Sequence, residues 1–278
     1  IGEDPRLTLL SEILGIDAWS VVRSKKFKRA GEFIRFRDGL VNARSSIVST
    51  YLLRKSLEPE KLIFHIEGFV RRLASLRRDS AMRRIFTELQ RFPVIEHLIE
   101  SDRKREIIIG YFQALRDIYF CQKNALFWLH YAMAHLAYGE FKEATLYFDQ
   151  ARALAKGKQK ETTDINNHFA RLLLDSRTNS REYDDYFEAF EMAHRILLDQ
   201  MNENTNRHFP FRQAKKYVNF ISYRKDQLTN VQIDRFITAC KQVISAIDHL
   251  HGRITKKREV DECLNAMNRA IEIAKEED

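Results

Sequence analysis

NALFWLHYAMAHLAYGEFKEATLYFDQARALA, residues 124–155, consists of two apolar helical lengths separated by one glycine. Large residues stand beside small ones on one side of each length: Trp128, Tyr131, Ala132 and His135 on the first, and Ala144, Phe148 and Ala151 on the second. A bulky ring fills the space between two helices, whereas an Ala lets the partner backbone approach closely. Gly139 suits a tight turn with positive φ. The segment is therefore predicted to form a helical hairpin.

These residues resemble a tetratricopeptide repeat, a helix–turn–helix unit of about 34 residues, although His135 replaces the usual aromatic residue or Leu. A two-helix hairpin within an ordinary helical domain is the alternative. One repeat cannot bury its own apolar face, so the resemblance implies several stacked pairs. Two further pairs with less regular spacing are predicted: DINNHFARLLLDS with FEAFEMAHRILL, and PFRQAKKYVNFISYR with QIDRFITACKQVISAIDHL.

The composition favours a helical chain, since 278 residues include only 9 Gly and 4 Pro while 31% are charged. We predict an all-α fold of stacked helical hairpins, a tetratricopeptide-like α-solenoid, over residues 58–278. Its first half is expected to contain helices begun by Pro59, Asp79, Pro93, Ser101 and Asn124. The later helices are predicted at 162–176, 180–202, 210–227, 230–252 and 257–276.

Residues 1–57 differ from the rest of the chain. The alternation in Phe33-Ile34-Arg35-Phe36 predicts a short strand. Asp38 is expected to cap a following helix whose apolar side contains Leu40, Val41, Ile47, Val48, Tyr51 and Leu52. A strand that leads into a helix is typical of the end of a winged-helix-like module. A lone β-ribbon packed on helices is the alternative.

The segment FIRFRDGLVNARSSIVSTYLL resembles the last strand and helix of the winged-helix segment that closes the ATPase module of STAND-type NTPases. The helices around DINNHFARLLL and RHFPFRQAKKYVNF also resemble C-terminal regions of bacterial members of that family, which act in defence against phages. The resemblance implies that the helices sense a protein ligand. It also implies that a part preceding residue 1 binds ATP and Mg²⁺, contains an effector and permits oligomerisation. The start, IGEDPRLTLL, is itself typical of a chain cut from something longer.

The sequence contains no recognisable catalytic motif. GxxxxGK[ST], GxGxxG, HExxH and GxSxG are absent, and the Cys and His residues show no zinc spacing. We therefore expect no catalysis, cofactor or metal in this chain, and an enzyme built on helices is the weakest of three functional classes. Cys121, Cys240 and Cys263 are scattered, which favours buried thiols in a reducing compartment, the cytoplasm. No apolar run has the roughly 20 residues of a membrane-spanning helix.

Positive charge is concentrated in the N-terminal third of the chain. Residues 1–110 contain 22 Lys+Arg against 15 Asp+Glu, whereas the remaining residues contain 25 against 24. One basic group crowds a short segment that includes Lys25, Lys26 and Lys28. A second group recurs at steps near six and comprises Arg71, Arg72, Arg77, Arg78, Arg83 and Arg84. A solvated face, contact with an acidic protein surface and contact with nucleic acid phosphates are the three interpretations.

The leading functional hypothesis is a protein-interaction module that recognises a target protein, such as a phage protein, by its helical-repeat surface. Residues on the first helix of the quoted hairpin, His130, Ala134 and Tyr138, are predicted contacts, together with Arg71, Arg78, Lys25, Lys26 and Lys28. The alternative is a nucleic-acid-binding helical protein that uses the basic N-terminal third. No membrane partner is expected.

Overall fold

The part of the chain described in a computed structural model is helical apart from one short β-hairpin. The structure describes residues 34–37, 40–43, 57–75, 80–179, 185–203, 208–249 and 257–276, and the single positions Asp17, Ser20, Arg23 and Arg54. Its helices pack in neighbouring pairs along the chain. The predicted all-α class is confirmed at this level.

The β-hairpin comprises β1 (Ile34–Arg37) and β2 (Leu40–Ala43), which pair antiparallel with Arg37 opposite Leu40. The strand predicted at residues 33–36 is therefore present, shifted by one residue. The helix predicted after Asp38 is wrong at its start, because Leu40 and Val41 lie in β2. An Asp-Gly pair between two β-prone runs is a strong hairpin signal, and it outweighs the capping tendency of Asp38. The rest of that predicted helix lies outside the described residues.

The chain divides into two compact units, Ile1–Tyr138 and Gly139–Asp278. The division falls inside the quoted stretch, so its first helix belongs to the first unit and its second helix to the second unit. Gly139 itself has φ of +75°, which confirms the turn predicted at this position. The predicted boundary between residues 57 and 58 stays a prediction, because most of the first 57 residues lie outside the described part of the chain.

The first unit contains six helices among its described residues: α1 (Pro59–Ser75), α2 (Ser80–Leu89), α3 (Phe92–Leu98), α4 (Lys104–Leu115), α5 (Tyr119–Gln122) and α6 (Ala125–Ala137). Asn124 caps α6 as predicted, because its side-chain oxygen accepts a 3.1 Å bond from the backbone N–H of Leu126. Pro93 lies in the first turn of α3, also as predicted. The single helix predicted after Ser101 is wrong, since α4 ends at Leu115 and the short α5 follows.

Helices α1 and α4 run parallel, because they meet at both ends with the same sequence separation of 43 residues. Near their starts, Arg103 lies 3.4 Å from Glu60. Near their ends, the Arg71 guanidinium donates a 2.8 Å bond to the carbonyl oxygen of Ala114. The Arg71 bond satisfies one of the carbonyl groups that the end of α4 leaves without a helical partner.

A cluster of aromatic rings forms the core of the first unit. The ring of Phe112 on α4 stacks on Tyr131 of α6 at 5.6 Å and meets Phe127 at 6.1 Å. Tyr111 is buried, and its hydroxyl donates a 2.7 Å bond to the carbonyl oxygen of Leu89 at the end of α2. Trp128, which the sequence placed between helices, is 8% exposed and donates from Nε1 to the carbonyl oxygen of Gln122 at 2.9 Å. The buried polar groups of Tyr111 and Trp128 thus keep hydrogen-bond partners.

The second unit consists of α7 (Phe141–Ala155), α8 (Gln159–Asn179), α9 (Tyr186–Glu203), α10 (Phe209–Ala214), α11 (Tyr217–Arg224), α12 (Asn230–His249) and α13 (Lys257–Lys275). The helices predicted at 162–176, 180–202, 230–252 and 257–276 are found with ends shifted by a few residues. The helix predicted at 210–227 is divided into α10, α11 and a 3₁₀ turn. The break lies at Lys215 and Lys216, two adjacent residues whose ammonium groups pair with carboxylates on different helices.

Alternate helices of the second unit run parallel to one another. On α8 and α10–α11, His168 meets Phe209 and Asp175 meets Lys216, two pairs that are both 41 residues apart. On α10 and α13, Arg212 meets Glu259 and Lys215 meets Glu262, two pairs that are both 47 residues apart. On α9 and α12, His194 meets Gln242 and Arg235 meets Phe187, each 48 residues apart. Pairs that advance together along both helices require parallel axes.

We predict that Asn124→Ala lowers the free energy of unfolding of the first unit by about 2 kcal/mol. The change removes the α6 cap and also the 3.1 Å bond from the Asn124 amide to Oε1 of Gln90, which is buried. Asn124→Asp keeps the cap acceptor but loses the donor to Gln90, so its effect should be about half as large. Urea unfolding followed by tryptophan fluorescence reports on this unit, because Trp128 belongs to it and the sequence of the second unit contains no Trp. An Ala variant within about 0.5 kcal/mol of the parent would contradict the assignment.

Candidate interaction surface

A row of charged side chains crosses three parallel helices of the second unit. We call it the charged row. It consists of Arg171 and Asp175 on α8, Arg212 on α10, Lys215 and Lys216 at the α10–α11 break, and Arg258, Glu259 and Glu262 on α13.

The α8 end of the charged row is half-buried. Lys216 pairs with Asp175, and Arg171 approaches the other oxygen of the same carboxylate at 3.2 Å. Burial lowers the pKa of Lys216, while its hydrogen bond to Asp175 and the charge of that carboxylate act in the opposite direction. One carboxylate is therefore shared between two cations from two helices, which fixes the relative positions of α8 and α11.

The α13 end of the charged row is more open to solvent. Glu259 accepts a 2.8 Å bond from Arg212, and Nε2 of His208 lies 3.6 Å from the same carboxylate. Glu262 accepts from Lys215 at 2.7 Å and from Arg258 at 2.9 Å. The Lys215 hydrogen bond, and after it the Arg258 hydrogen bond, lowers the pKa of Glu262. The Glu262 carboxylate thus remains charged at neutral pH.

The charged row contains five basic and three acidic side chains, so its net charge is positive even though each acid is paired. Exposed ion pairs of this kind contribute only about 0.2–1 kcal/mol each to stability. Their larger effects are to set which residues of neighbouring helices lie side by side and to attract partners of complementary charge. The arginine side chains of Arg212 and Arg258 are 52% and 91% exposed, so their guanidinium groups can reach a partner.

His194 connects three helices on the buried side of α9. Its Nδ1 lies 3.0 Å from the hydroxyl of Tyr217 on α11, and its Nε2 lies 2.8 Å from Oε1 of Gln242 on α12. Burial lowers the pKa of His194, although the Gln242 bond opposes the shift. Since Oε1 of Gln242 only accepts, the neutral ring must carry its proton on Nε2 and accept from the Tyr217 hydroxyl on Nδ1. Burial raises the pKa of Tyr217 well above its usual value, so its hydroxyl keeps the proton that it donates to Nδ1. We therefore interpret this arrangement as structural.

His168 lies between α8 and α10, one turn before the charged row. Its ring packs on Phe209 at 5.0 Å, and its Nδ1 is buried without a hydrogen-bond partner in the described part of the protein. Burial, and to a smaller extent the charge of Arg171, lowers the pKa of His168 to about 4. The ring is therefore neutral at pH 7, and a proton on it would lie in an apolar contact beside a guanidinium group.

A cleft of about 390 Å³ lies between the start of α8 and the end of α9. Its walls are formed by Gly157, Lys158, Thr162, Thr163 and Asn166 on one side, and by Ile196, Asp199, Gln200 and Glu203 on the other. Gln200 joins the two walls, since its Nε2 donates a 3.2 Å bond to the carbonyl oxygen of Thr163. The cleft has both polar and apolar surface and is large enough for a side chain or a small ligand.

The contact residues predicted on the first helix of the quoted hairpin differ in how far they are buried. His130 is half-buried, and Ala134 is fully buried, so Ala134 is wrong as a contact residue. Tyr138 is also half-buried, and its ring meets the edge of Phe92 at 6.4 Å. Burial, with a smaller effect of Glu96, raises the pKa of Tyr138 to about 12. Tyr138 thus packs within the first unit.

The predicted basic contact residues also differ in their environments. Arg71 is bound within the protein by Glu67 at 2.8 Å and by the carbonyl oxygen of Ala114, so it holds α4 rather than projecting to a partner. Arg78, Lys25, Lys26 and Lys28 lie outside the described residues. Sequence reasoning missed the charged row because the residues that pair between its helices are 41 or 47 positions apart, and only the spacing of the later helices hinted at it.

The buried thiols do not form a reactive or metal-binding group. All three cysteines are buried, and burial raises the pKa of both Cys240 and Cys263 to about 12. Within the described ranges, no three His, Cys, Asp or Glu side chains come together in a way that could hold a metal ion. Of the helices described above, none has the length and apolar character needed to cross a membrane.

We predict that acid lowers the stability of the second unit and that His168 accounts for part of the effect. The folded pKa of about 4 lies below the usual 6.5, so the unfolded chain binds protons first as the pH falls from 7 to 5, and folding is destabilised. The loss due to His168 is at most about 2 kcal/mol over this range. Denaturation of His168→Gln at pH 7 and pH 5 should show a smaller difference than the parent. The exposed His249→Gln is the control, and an unchanged difference in His168→Gln would contradict the assignment.

A scan against models of known protein families finds no match to this sequence, and a search of curated proteins finds no relative.

Proposed function

We propose that this chain is a protein-recognition module in which a stack of helical hairpins presents the charged row to a partner protein. The observation that supports this most directly is the parallel arrangement of α8, α10–α11 and α13, with ion pairs between these helices and exposed side chains at Arg212 and Arg258. Stacked helices of this kind provide a long, rigid surface without a mobile lid. The chain itself is proposed to have no catalytic role.

The stack is proposed to be an α-solenoid in which α8 with α9, and α10–α11 with α12, are successive two-helix units. The contacts between corresponding helices are separated by 41–48 residues, which is longer than the 34 residues of a tetratricopeptide repeat and closer to the 40–47 residues of other helical repeats. The difference is consistent with the α10–α11 break and with the loops between helices. The resemblance of residues 124–155 to a tetratricopeptide repeat remains part of the proposal.

The proposed partner surface is acidic. Five cations against three carboxylates leave an excess of guanidinium and ammonium groups along the row. A partner carboxylate can approach Arg258 or Arg212 without breaking the bonds that these residues make to Glu262 and Glu259, because each guanidinium has five N–H donors. Contacts of this type increase the association rate and the specificity more than the affinity.

The parent protein is proposed to be a bacterial STAND-type NTPase that acts in the cytoplasm against phages, with this chain as its ligand sensor. This proposal rests on the resemblance of FIRFRDGLVNARSSIVSTYLL and of the later helices to that family. In such a protein, ATP and Mg²⁺ would be bound by an upstream part, and recognition of a phage protein would favour oligomerisation. A phosphate-binding loop encoded upstream of this chain in the parent gene would support this proposal.

We predict that the purified chain binds a purified phage-encoded protein with an acidic surface, and that reversal of three arginines weakens the binding at least about tenfold. The variant is Arg171→Glu with Arg212→Glu and Arg258→Glu, measured by biolayer interferometry against a panel of such proteins. Arg195→Glu with Lys241→Glu and Lys142→Glu is a matched control, since these exposed cations of the same unit lie outside the charged row. Equal loss in both variants would contradict a role for the row.

A second pair of measurements separates recognition from folding and from nucleic-acid binding. The swap Arg212→Glu with Glu259→Arg preserves the ion pair but reverses its direction, so it should weaken binding while leaving the unfolding transition unchanged. Labelled single- and double-stranded oligonucleotides test the other class. Affinity for them that falls steeply with salt and is lost on changing Lys25, Lys26 and Lys28 to Glu would favour nucleic-acid binding and contradict the proposal.

A further inference from the structure

The cleft between α8 and α9 differs from the charged row in the hydrogen-bonding groups that it presents to a ligand. The Thr162 hydroxyl is not available to a ligand as a donor, because its Oγ1 donates to the carbonyl oxygens of Ala155 at 3.1 Å and Lys158 at 3.0 Å. The ammonium group of Lys158 is directed to Glu161 at 3.3 Å, outside the cleft walls. The other polar side chains of the walls are Thr163 and Asn166, which can donate and accept, and three that present acceptors: the carboxylates of Asp199 and Glu203 and the amide oxygen of Gln200.

Gln200 is the buried member of this set. It is 5% exposed, and its Oε1 has no hydrogen-bond partner within the part of the chain that the structure describes. The orientation of the amide is fixed, because the opposite atom must be the nitrogen that donates to the carbonyl oxygen of Thr163. A buried acceptor without a donor is unfavourable by about 1–3 kcal/mol, so a ligand that supplies a donor would gain this contribution.

The end of α9 strengthens the preference for a positive ligand. The last turn of α9 contains no basic residue, although cations are favoured at the negative end of a helix. Instead it contains Asp199 and Glu203, two exposed carboxylates that line the cleft. The start of α8 is the positive end of that helix and would disfavour a cation. Glu161 in its first turn, which binds Lys158, offsets part of this effect. The cleft therefore has negative character in a chain whose net charge is +8.

We infer that this cleft is a binding site for a cationic hydrogen-bond donor, namely a guanidinium or ammonium group on an aliphatic stem. The two carboxylates bind the charged head, and Ile196 on the wall contacts the stem. Oε1 of Gln200 is covered in the free protein, and a small rotation of this side chain on binding lets it accept one of the ligand's N–H groups. The side chain of an Arg or Lys from a partner and a free amine share this chemistry. The inference does not depend on the charged row or on its proposed partner.

The test is an NMR titration of the isotope-labelled full chain with N-acetyl-arginine amide. The expected result is saturable binding that shifts the side-chain amide signals of Gln200 and Asn166. Asp199→Asn with Glu203→Gln should raise the Kd roughly fivefold to tenfold, the effect of losing two partly solvated ion pairs. Agmatine is titrated in parallel, and the tighter of the two ligands identifies a partner side chain or a free amine as the better match.

The matched control is Asp248→Asn with Glu272→Gln, two exposed carboxylates of the same unit that do not line the cleft. The same loss of charge there should change the Kd by less than about twofold, because solvent and salt screen distant charges. The neutral analogue N-acetyl-citrulline amide should not bind. Equal binding of that analogue, preferential binding of inorganic phosphate, no saturable binding, or an unchanged Kd in Asp199→Asn/Glu203→Gln would each overturn the inference.

Discussion

The ring of Phe190 is the contact on which the second unit most depends. It is 2% exposed, stacks on Phe220 of α11 at 4.6 Å, and meets Tyr217 at 4.9 Å and Phe236 of α12 at 5.1 Å. One side chain of α9 therefore fixes the spacing to two further helices, and aromatic contacts at these distances are worth more than their buried area alone. Because the rings exclude water, the polar groups at their edge must find partners within the protein, as His194 does with Tyr217 and Gln242.

The polar surface of the second unit follows from the same packing. Parallel helices place residues 41–48 positions apart side by side, so charges on α8, α10, α11 and α13 form a row that no short stretch of sequence contains. The hairpin of α8 and α9 is antiparallel, so the start of one helix lies beside the end of the other, and the acceptor-rich cleft opens there. Two surfaces of opposite electrostatic character thus arise from one stack, and each selects a different partner chemistry.

Local signals were sufficient to predict much of the fold. The α6 cap at Asn124 and the turn at Gly139 are set by residues within three positions of each feature, and both were predictable from the sequence. The α10–α11 break was not, because it coincides with ion pairs to Asp175 and Glu262, over 40 residues away. The β2 strand is not among the predicted elements although its Asp-Gly signal is local, because Asp38 also fits the cap of a helix. The candidate site was predicted least well, because contact across helices depends on register, which apolar periodicity does not specify.

The parallel register of alternate helices is tested most directly by distances between spin labels in the second unit. Labels at Arg212 and Glu259, and at Lys225 and Glu276, flank contacts near the two ends of α10–α11 and α13. Pulsed electron paramagnetic resonance should give a short distance for both of these pairs and a long distance for labels at Arg212 and Glu276. A short distance between Arg212 and Glu276, with long distances for the other two pairs, would show antiparallel helices and contradict the account.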